Sequence, residues 1–187
     1  MSNPNCDEVL RQPGYLWWNP TALDAEENYG TRLGFAKKGV KFQPRFDVLS
    51  APGMEYGNEP VIQIFAGMAG RIFAEIRNWN VTVLGRAFPG LISSNALQFP
   101  GSLYAGTRMD SDTYCKPLLF MPEAGGADNN IVLFQKARPG MADLAAAIFF
   151  ANKENSTFPL VFDAIRADGS DIYRSIYVGP VSGAALV

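Results

Sequence analysis

The chain has 187 residues, with 16 Lys+Arg against 18 Asp+Glu, a net charge of −2 and a charged fraction of 18%, low beside the ~25% of an ordinary soluble domain. That balance leaves no clustered basic face of the kind that grips a phosphate backbone. The complete lack of histidine removes Ser-His-Asp and Cys-His catalysis, His-ligated zinc and the imidazole pH switch together, so an enzyme is not expected. Hydrophobic residues make up 48% of the chain, 13 of them Phe, which is ample for one packed core. Eighteen Gly and 13 Pro, spread along the whole length, favour strands and turns over a helical bundle. The sparse charge fits a surface partly covered by copies of the same chain, with a monomer of quiet surface as the alternative.

Two cysteines, Cys6 and Cys115, do not make a disulfide scaffold. Two thiols are the simplest reading, with an intermolecular bridge through Cys6 left open. Met1 to Gln12 is polar, without an apolar stretch of signal-peptide type, and reads as an extended N-terminal segment. The longest apolar run, Leu144 to Ala151, is far short of the ~20 residues that span a bilayer, so the expectation is a protein that stays on the cytoplasmic side of its producing cell.

In chain order, Tyr15 to Trp18 is an aromatic patch, and Asn19-Pro20-Thr21 is a turn leading into a short helical turn over Ala22 to Glu27. Leu33 to Phe42 reads as one strand with a bend or bulge at Gly39. Gln43 to Pro60, broken by Pro44, Pro52, Gly53, Gly57 and Pro60, reads as a long loop. It carries Phe46, Leu49, Met54 and Tyr56, too much apolar cargo to be left in water, and these four are the candidate contacts between subunits. Gly70 to Arg77 alternates cleanly, with Ile72, Ala74 and Ile76 on the core side. Asn78 to Phe88, stopped by Pro89-Gly90, is expected to be the one helix, and Leu91 to Ser111 an irregular excursion. Lys116 to Met121 and Asn130 to Ala137 form a hairpin around Gly125-Gly126, Ala145 to Phe150 adds a further strand, and Phe158 to Arg166 turns at Asp168-Gly169-Ser170 into Ile172 to Val178. The fold class expected is mainly β with one α-helix, a single-domain antiparallel barrel or sandwich over residues 1–187.

Chemistry is scarce. Gly67, Gly70 and Gly85 lack the Lys-Ser/Thr ending of a phosphate loop. The acids Asp110 with Asp112, and Asp163 with Asp168 and Asp171, lack the calcium-loop pattern and read as solvated turn acids. Glu55 and Glu59 are a carboxylate pair of the kind found in most sequences. Arg71-Ile72-Phe73 and Arg77-Asn78-Trp79 interleave bases with aromatics, but without a basic field the rings read as core or interface filling. No cofactor or metal is expected.

Taken in order, Gly14-Tyr15-Leu16-Trp17, Asn19-Pro20-Thr21, Gly30-Thr31-Arg32-Leu33-Gly34, the Glu55-Tyr56-Gly57-Asn58-Glu59-Pro60 loop end, the unit from Arg71 to Pro89-Gly90, Pro117-Leu118-Leu119-Phe120-Met121-Pro122, Lys136-Ala137-Arg138-Pro139 and Phe158-Pro159-Leu160-Val161-Phe162 resemble the tail tube proteins of long-tailed bacteriophages. The resemblance implies a virion structural subunit whose small β-barrel joins a hexameric ring. Rings would stack into the tube that conducts the genome, and DNA would pass through without tight binding. It also implies other phage tail proteins as partners, and assembly in the bacterial cytoplasm with the virion as destination. In that family the long loop between early strands reaches a neighbour, and Gln43 to Pro60 is the matching stretch. Other readings are a different ring or decoration component of a virion, such as a tail terminator or a capsid decoration protein, and a small-molecule-binding β-barrel that uses its aromatics as pocket lining.

Overall fold

The computed structural model describes residues 12–52, 60–77, 92–93, 96–97, 108, 111–123, 130–140, 158–165 and 176–186. These form an open, mainly antiparallel sheet of eight strands and a separate two-stranded ladder. The strands are β1 (Gly14–Trp18), β2 (Thr31–Ala36), β3 (Val40–Pro52), β4 (Pro60–Ile76), the two-residue β5 (Ile92–Ser93) and β6 (Ala96–Leu97), β7 (Lys116–Pro122), β8 (Asn130–Pro139), β9 (Phe158–Ala164) and β10 (Ile176–Pro180). In the large sheet the order is β2-β1-β7-β8-β9-β4-β3, with β10 added on β8. Every pairing among the described strands of this sheet is antiparallel.

The aromatic patch is thus strand β1, buried between β2 and β7. The helical turn expected over Ala22 to Glu27 is shorter and later, a 3-10 turn at Glu26–Asn28. A second 3-10 turn follows β10 at Val181–Gly183, and no α-helix occurs among the described residues. The helix expected over Asn78 to Phe88, and the strand over Ala145 to Phe150, lie outside them. The single strand expected from Leu33 to Phe42 is two, β2 and β3, separated at Gly39, whose φ of 77° is open to glycine and strained for other residues. The bend falls at the expected residue, and the chain keeps its direction through it, since β2 at Phe35↔Arg77 and β3 from Val40↔Ala74 both run antiparallel to the line of β4.

The largest correction concerns Gln43 to Pro60. Residues up to Pro52 are not loop but the continuation of β3, paired with β4 from Val40↔Ala74 to Pro52↔Pro60. Pro44 is tolerated because β3 ends the strand order, where one side of the strand asks for no ladder hydrogen bond. The hairpin expected between Phe158 to Arg166 and Ile172 to Val178 is also not formed by those strands: β10 pairs with β8, from Ile176↔Phe134 to Pro180↔Asn130.

Strand β8 is the centre of the sheet. One edge meets β7, while the other meets β9 through Ala137–Pro139 and β10 through Asn130–Phe134. The change of partner falls at a bulge. On β7 the register steps from Lys116 to Leu118, while on β8 it steps from Ala137 to Phe134, so Gln135 and Lys136 oppose a single residue. The bulge also shifts the alternation, which is why Val132, Phe134 and Ala137 all belong to one buried cluster. Gln135 donates from its side chain to the Ala185 carbonyl, and Lys136 Nζ stands 2.8 Å from Asp112 Oδ1. That ammonium holds the Asp112 carboxyl below its ordinary value, chiefly by hydrogen bonding.

Two apolar clusters sandwich the sheet's centre. The larger gathers one face of seven strands, with Leu16, Leu33, Ile72, Leu118, Phe134 and Phe162 all at 0–1% exposure. Each such side chain contributes about 1.5–3 kcal/mol by leaving water. Trp18 meets Phe162 at 5.3 Å between ring centroids, and Phe42 meets Phe134 at 6.0 Å. The smaller cluster lies on the opposite face, where Trp17, Leu119, Ile131 and Leu133 are covered by Leu23 and Tyr29 and by Val181, Ala184 and Leu186 that follow β10.

For one face of seven strands to meet in one cluster, the sheet must curl. At its ends β2 comes back beside the end of β4: Phe35 N donates to Arg77 O at 3.2 Å and Arg77 N to Phe35 O at 2.8 Å. Gly34 permits the approach, because a Cβ there would lie 2.9 Å from Arg77 O and 3.0 Å from Ile76 Cβ. Gly34→Ala should push β2 off β4 and destabilise the protein by about 1–3 kcal/mol, the usual cost of overpacking. Urea unfolding measures this, and a midpoint equal to that of the native chain would mean that the two ends adapt freely.

Candidate subunit interface

The interface residues expected from sequence were Phe46, Leu49, Met54 and Tyr56. The structure places the first two on β3, where Phe46 lies opposite Met68 and Leu49 opposite Ile64. Met54 and Tyr56 lie outside the described residues. Phe46 and Leu49 are therefore register positions of a hairpin, and the question becomes what that hairpin does.

The two strands are long for different reasons. From Gly70 to Ile76, β4 has β3 on one side and β9 on the other, and there the sequence alternates as a half-buried strand should, with Ile72, Ala74 and Ile76 buried. From Pro60 to Ala69 it pairs with β3 and with no other described strand. At ~3.3 Å per residue this part of the ribbon runs for roughly 30 Å beyond its last contact with β9. It is interrupted where Asp47↔Gly67 is followed by Val48↔Phe65, leaving Ala66 as an extra residue. Its sequence is apolar on both arms: Val61, Ile62, Ile64, Phe65 and Met68 on one, Phe46, Val48 and Leu49 on the other. A two-stranded ribbon is marginal by itself in water, and the outer edges of this one meet no other described strand from Pro60 to Ala69.

The root of the ribbon is fixed by charge. Arg71, one residue beyond Gly70, is opposite Asp163 of β9, which in turn is opposite Arg138 of β8. Arg71 Nε donates to Asp163 Oδ1 at 2.6 Å and Nη2 to Oδ2 at 3.3 Å, and Arg138 Nη2 lies 3.7 Å from Oδ2. The forked geometry makes this pair directional. Asp163, expected as a solvated turn acid, is a strand residue between two guanidinium groups. The sequence held a sign of it, since Asp163 is an acid set between Phe162 and Ala164 in an apolar run, but only the register names its partners. On the neighbouring edge Lys38 meets Glu75 at 3.3 Å with both side chains exposed, a pair of small energetic weight.

Of the other residues singled out, Cys115 is a buried thiol at 2% exposure, inaccessible to a bridge between copies. Cys6, Glu55, Glu59, Asp110, Asp168 and Asp171 lie outside the described residues. Among the described residues no group of three or more acids or cysteines gathers as metal ligands, and no helix is long and apolar enough to cross a membrane. Comparison of the chain with protein-family models, with curated proteins and with solved structures finds no match in any of the three.

Proposed function

We propose that this chain is a tail tube subunit of a long-tailed bacteriophage, six copies closing into a ring and rings stacking into the conduit for DNA ejection. The observation that carries the reading is the β3–β4 ribbon: an apolar two-stranded extension, paired with no other described strand, is the kind of element that another subunit completes. The order of aromatic and turn motifs along the chain supports it, as do the sparse charge and the absence of histidine. The curled sheet, with β2 bridged to the end of β4, supports a barrel as the body of each subunit. Head-to-tail contacts of this kind close into rings when the rotation permits and otherwise grow into filaments.

Negative-stain microscopy of the concentrated protein tests the proposal. Tubes of stacked rings are expected; isolated rings would favour a terminator, and dispersed single particles at high concentration would refute it.

A tube that lets a genome slide should not hold it. Duplex DNA carries one negative charge per ~1.7 Å, and each basic contact on the wall would slow passage. With a net charge of −2 per copy, the assembled protein is expected to show no tight binding to double-stranded DNA. A titration at low and moderate salt checks this. Submicromolar affinity with a steep salt slope would replace the conduit by a DNA-gripping role.

A further inference from the structure

On the outer face of the sheet, away from the β3–β4 ribbon's pairing with β9, lies a groove of about 540 Å³, within the usual range for a binding site. Its floor is aromatic and soft: Tyr15 and Trp17 of β1, Tyr29 after the first 3-10 turn, and Met121 of β7. The rings are set at angles to one another, Trp17 to Tyr29 at 5.6 Å and 75°, Tyr15 to Trp17 at 6.5 Å and 56°. Its rim is acidic: Asp24, Glu26 and Glu123 line it, and no Lys or Arg does. Asp24 accepts a hydrogen bond from Asn28 Nδ2 at 2.8 Å, which orients it.

A further observation says what such a groove takes. Rings of the floor already bind a guanidinium: Arg32, from the adjoining recess, stands 5.1 Å from the Tyr15 ring and 5.9 Å from the Trp17 ring.

We infer that the groove is a docking site for a basic segment of a partner polypeptide, which lays an Arg or Lys stem along Tyr15, Trp17 and Tyr29 and sets its charged head among Asp24, Glu26 and Glu123. Alkyl stem on rings and cation among carboxylates match in both polarity and charge. A polypeptide is favoured over a small ammonium ion because about 540 Å³ bordered by three carboxylates is more room and more charge than one such ion fills. The inference is independent of tube formation, since it concerns a face of the folded chain.

Fluorescence anisotropy tests it, using a labelled Gly-Arg-Leu-Arg-Gly peptide, its Gly-Glu-Leu-Glu-Gly counterpart, and unlabelled tetraethylammonium as competitor, on full-length protein in whatever assembly state it adopts. The basic peptide should bind and the acidic one should not. Glu26→Gln with Glu123→Gln, both at exposed positions, should weaken binding about tenfold while leaving the melting temperature in place. No binding of the basic peptide at about millimolar concentration, or equal affinity in the double variant, would each overturn the inference. Displacement of the peptide by equimolar tetraethylammonium would also overturn it, in favour of a small-cation pocket.

Discussion

Leu49→Asp combined with Met54→Asp is expected to give a protein that folds and does not assemble. Leu49 is opposite Ile64 in the part of the hairpin that lies past the β9 pairing, so a carboxylate there leaves the buried cluster around Phe134 and Phe162 untouched. In a subunit contact, by contrast, two carboxylates without partners would have to be desolvated, at several kcal/mol each in a dry environment. Thermal unfolding should match the native chain within a few degrees, while microscopy shows neither rings nor tubes. Normal tubes from the double variant would mean that this ribbon is not the assembly contact.

Phe134→Ala should have the opposite signature, a large loss of fold stability. Phe134 is fully buried, belongs to the larger cluster, packs edge-on against Phe42, and sits on β8 where β7 and β10 both pair with it. Truncating a buried Phe costs about 3–5 kcal/mol, against a total stability of about 5–15 kcal/mol for a domain. At roughly 2–4 °C per kcal/mol for a chain of this size, the melting temperature should fall by about 10 °C, measured by calorimetry. Val178→Ala, on the neighbouring β10 at 41% exposure, is the control and should shift it little. A fall no larger than that of the control would mean that the site collapses around the missing ring.

What could be read from the sequence was local. The alternation of Ile72, Ala74 and Ile76 identified the buried side of β4, and Gly39 identified the bend that separates β2 from β3. The pairing of β7 with β8 was legible because two apolar runs flank the Gly125-Gly126 dipeptide in the sequence. What failed was whatever depends on neighbours distant in sequence. Pro44 and Pro52 argued for a loop, since a breaker signal carries no information about whether the strand is at an edge, where a missing N–H is harmless. Proximity in sequence argued for pairing β10 with β9; the bulge at Gln135 and Lys136 gives that edge of β8 to both strands instead. The stretch from Gln43 to Pro52 drew notice as too apolar for a loop, and its shape is a strand instead. The aromatic groove drew on residues already visible as a patch, Tyr15 and Trp17, while its rim comes from Asp24, Glu26 and Glu123, which no spacing connects.

The double use of β8 has a consequence in time. During synthesis β7, β8 and their hairpin emerge well before Ile176–Pro180 and the residues that follow, which cover Trp17, Leu119, Ile131 and Leu133 and receive the side-chain hydrogen bond of Gln135. At about 5–20 residues per second, that apolar face waits uncovered for a few seconds on every nascent chain. The edge of β8 between Asn130 and Phe134 is vacant for the same interval, and on a crowded message it is open to the matching segment of a neighbouring chain. Ribosome-stalled chains cut short before Ile176 should therefore associate with one another or with chaperones, and release on completion marks the moment when a subunit becomes safe to concentrate.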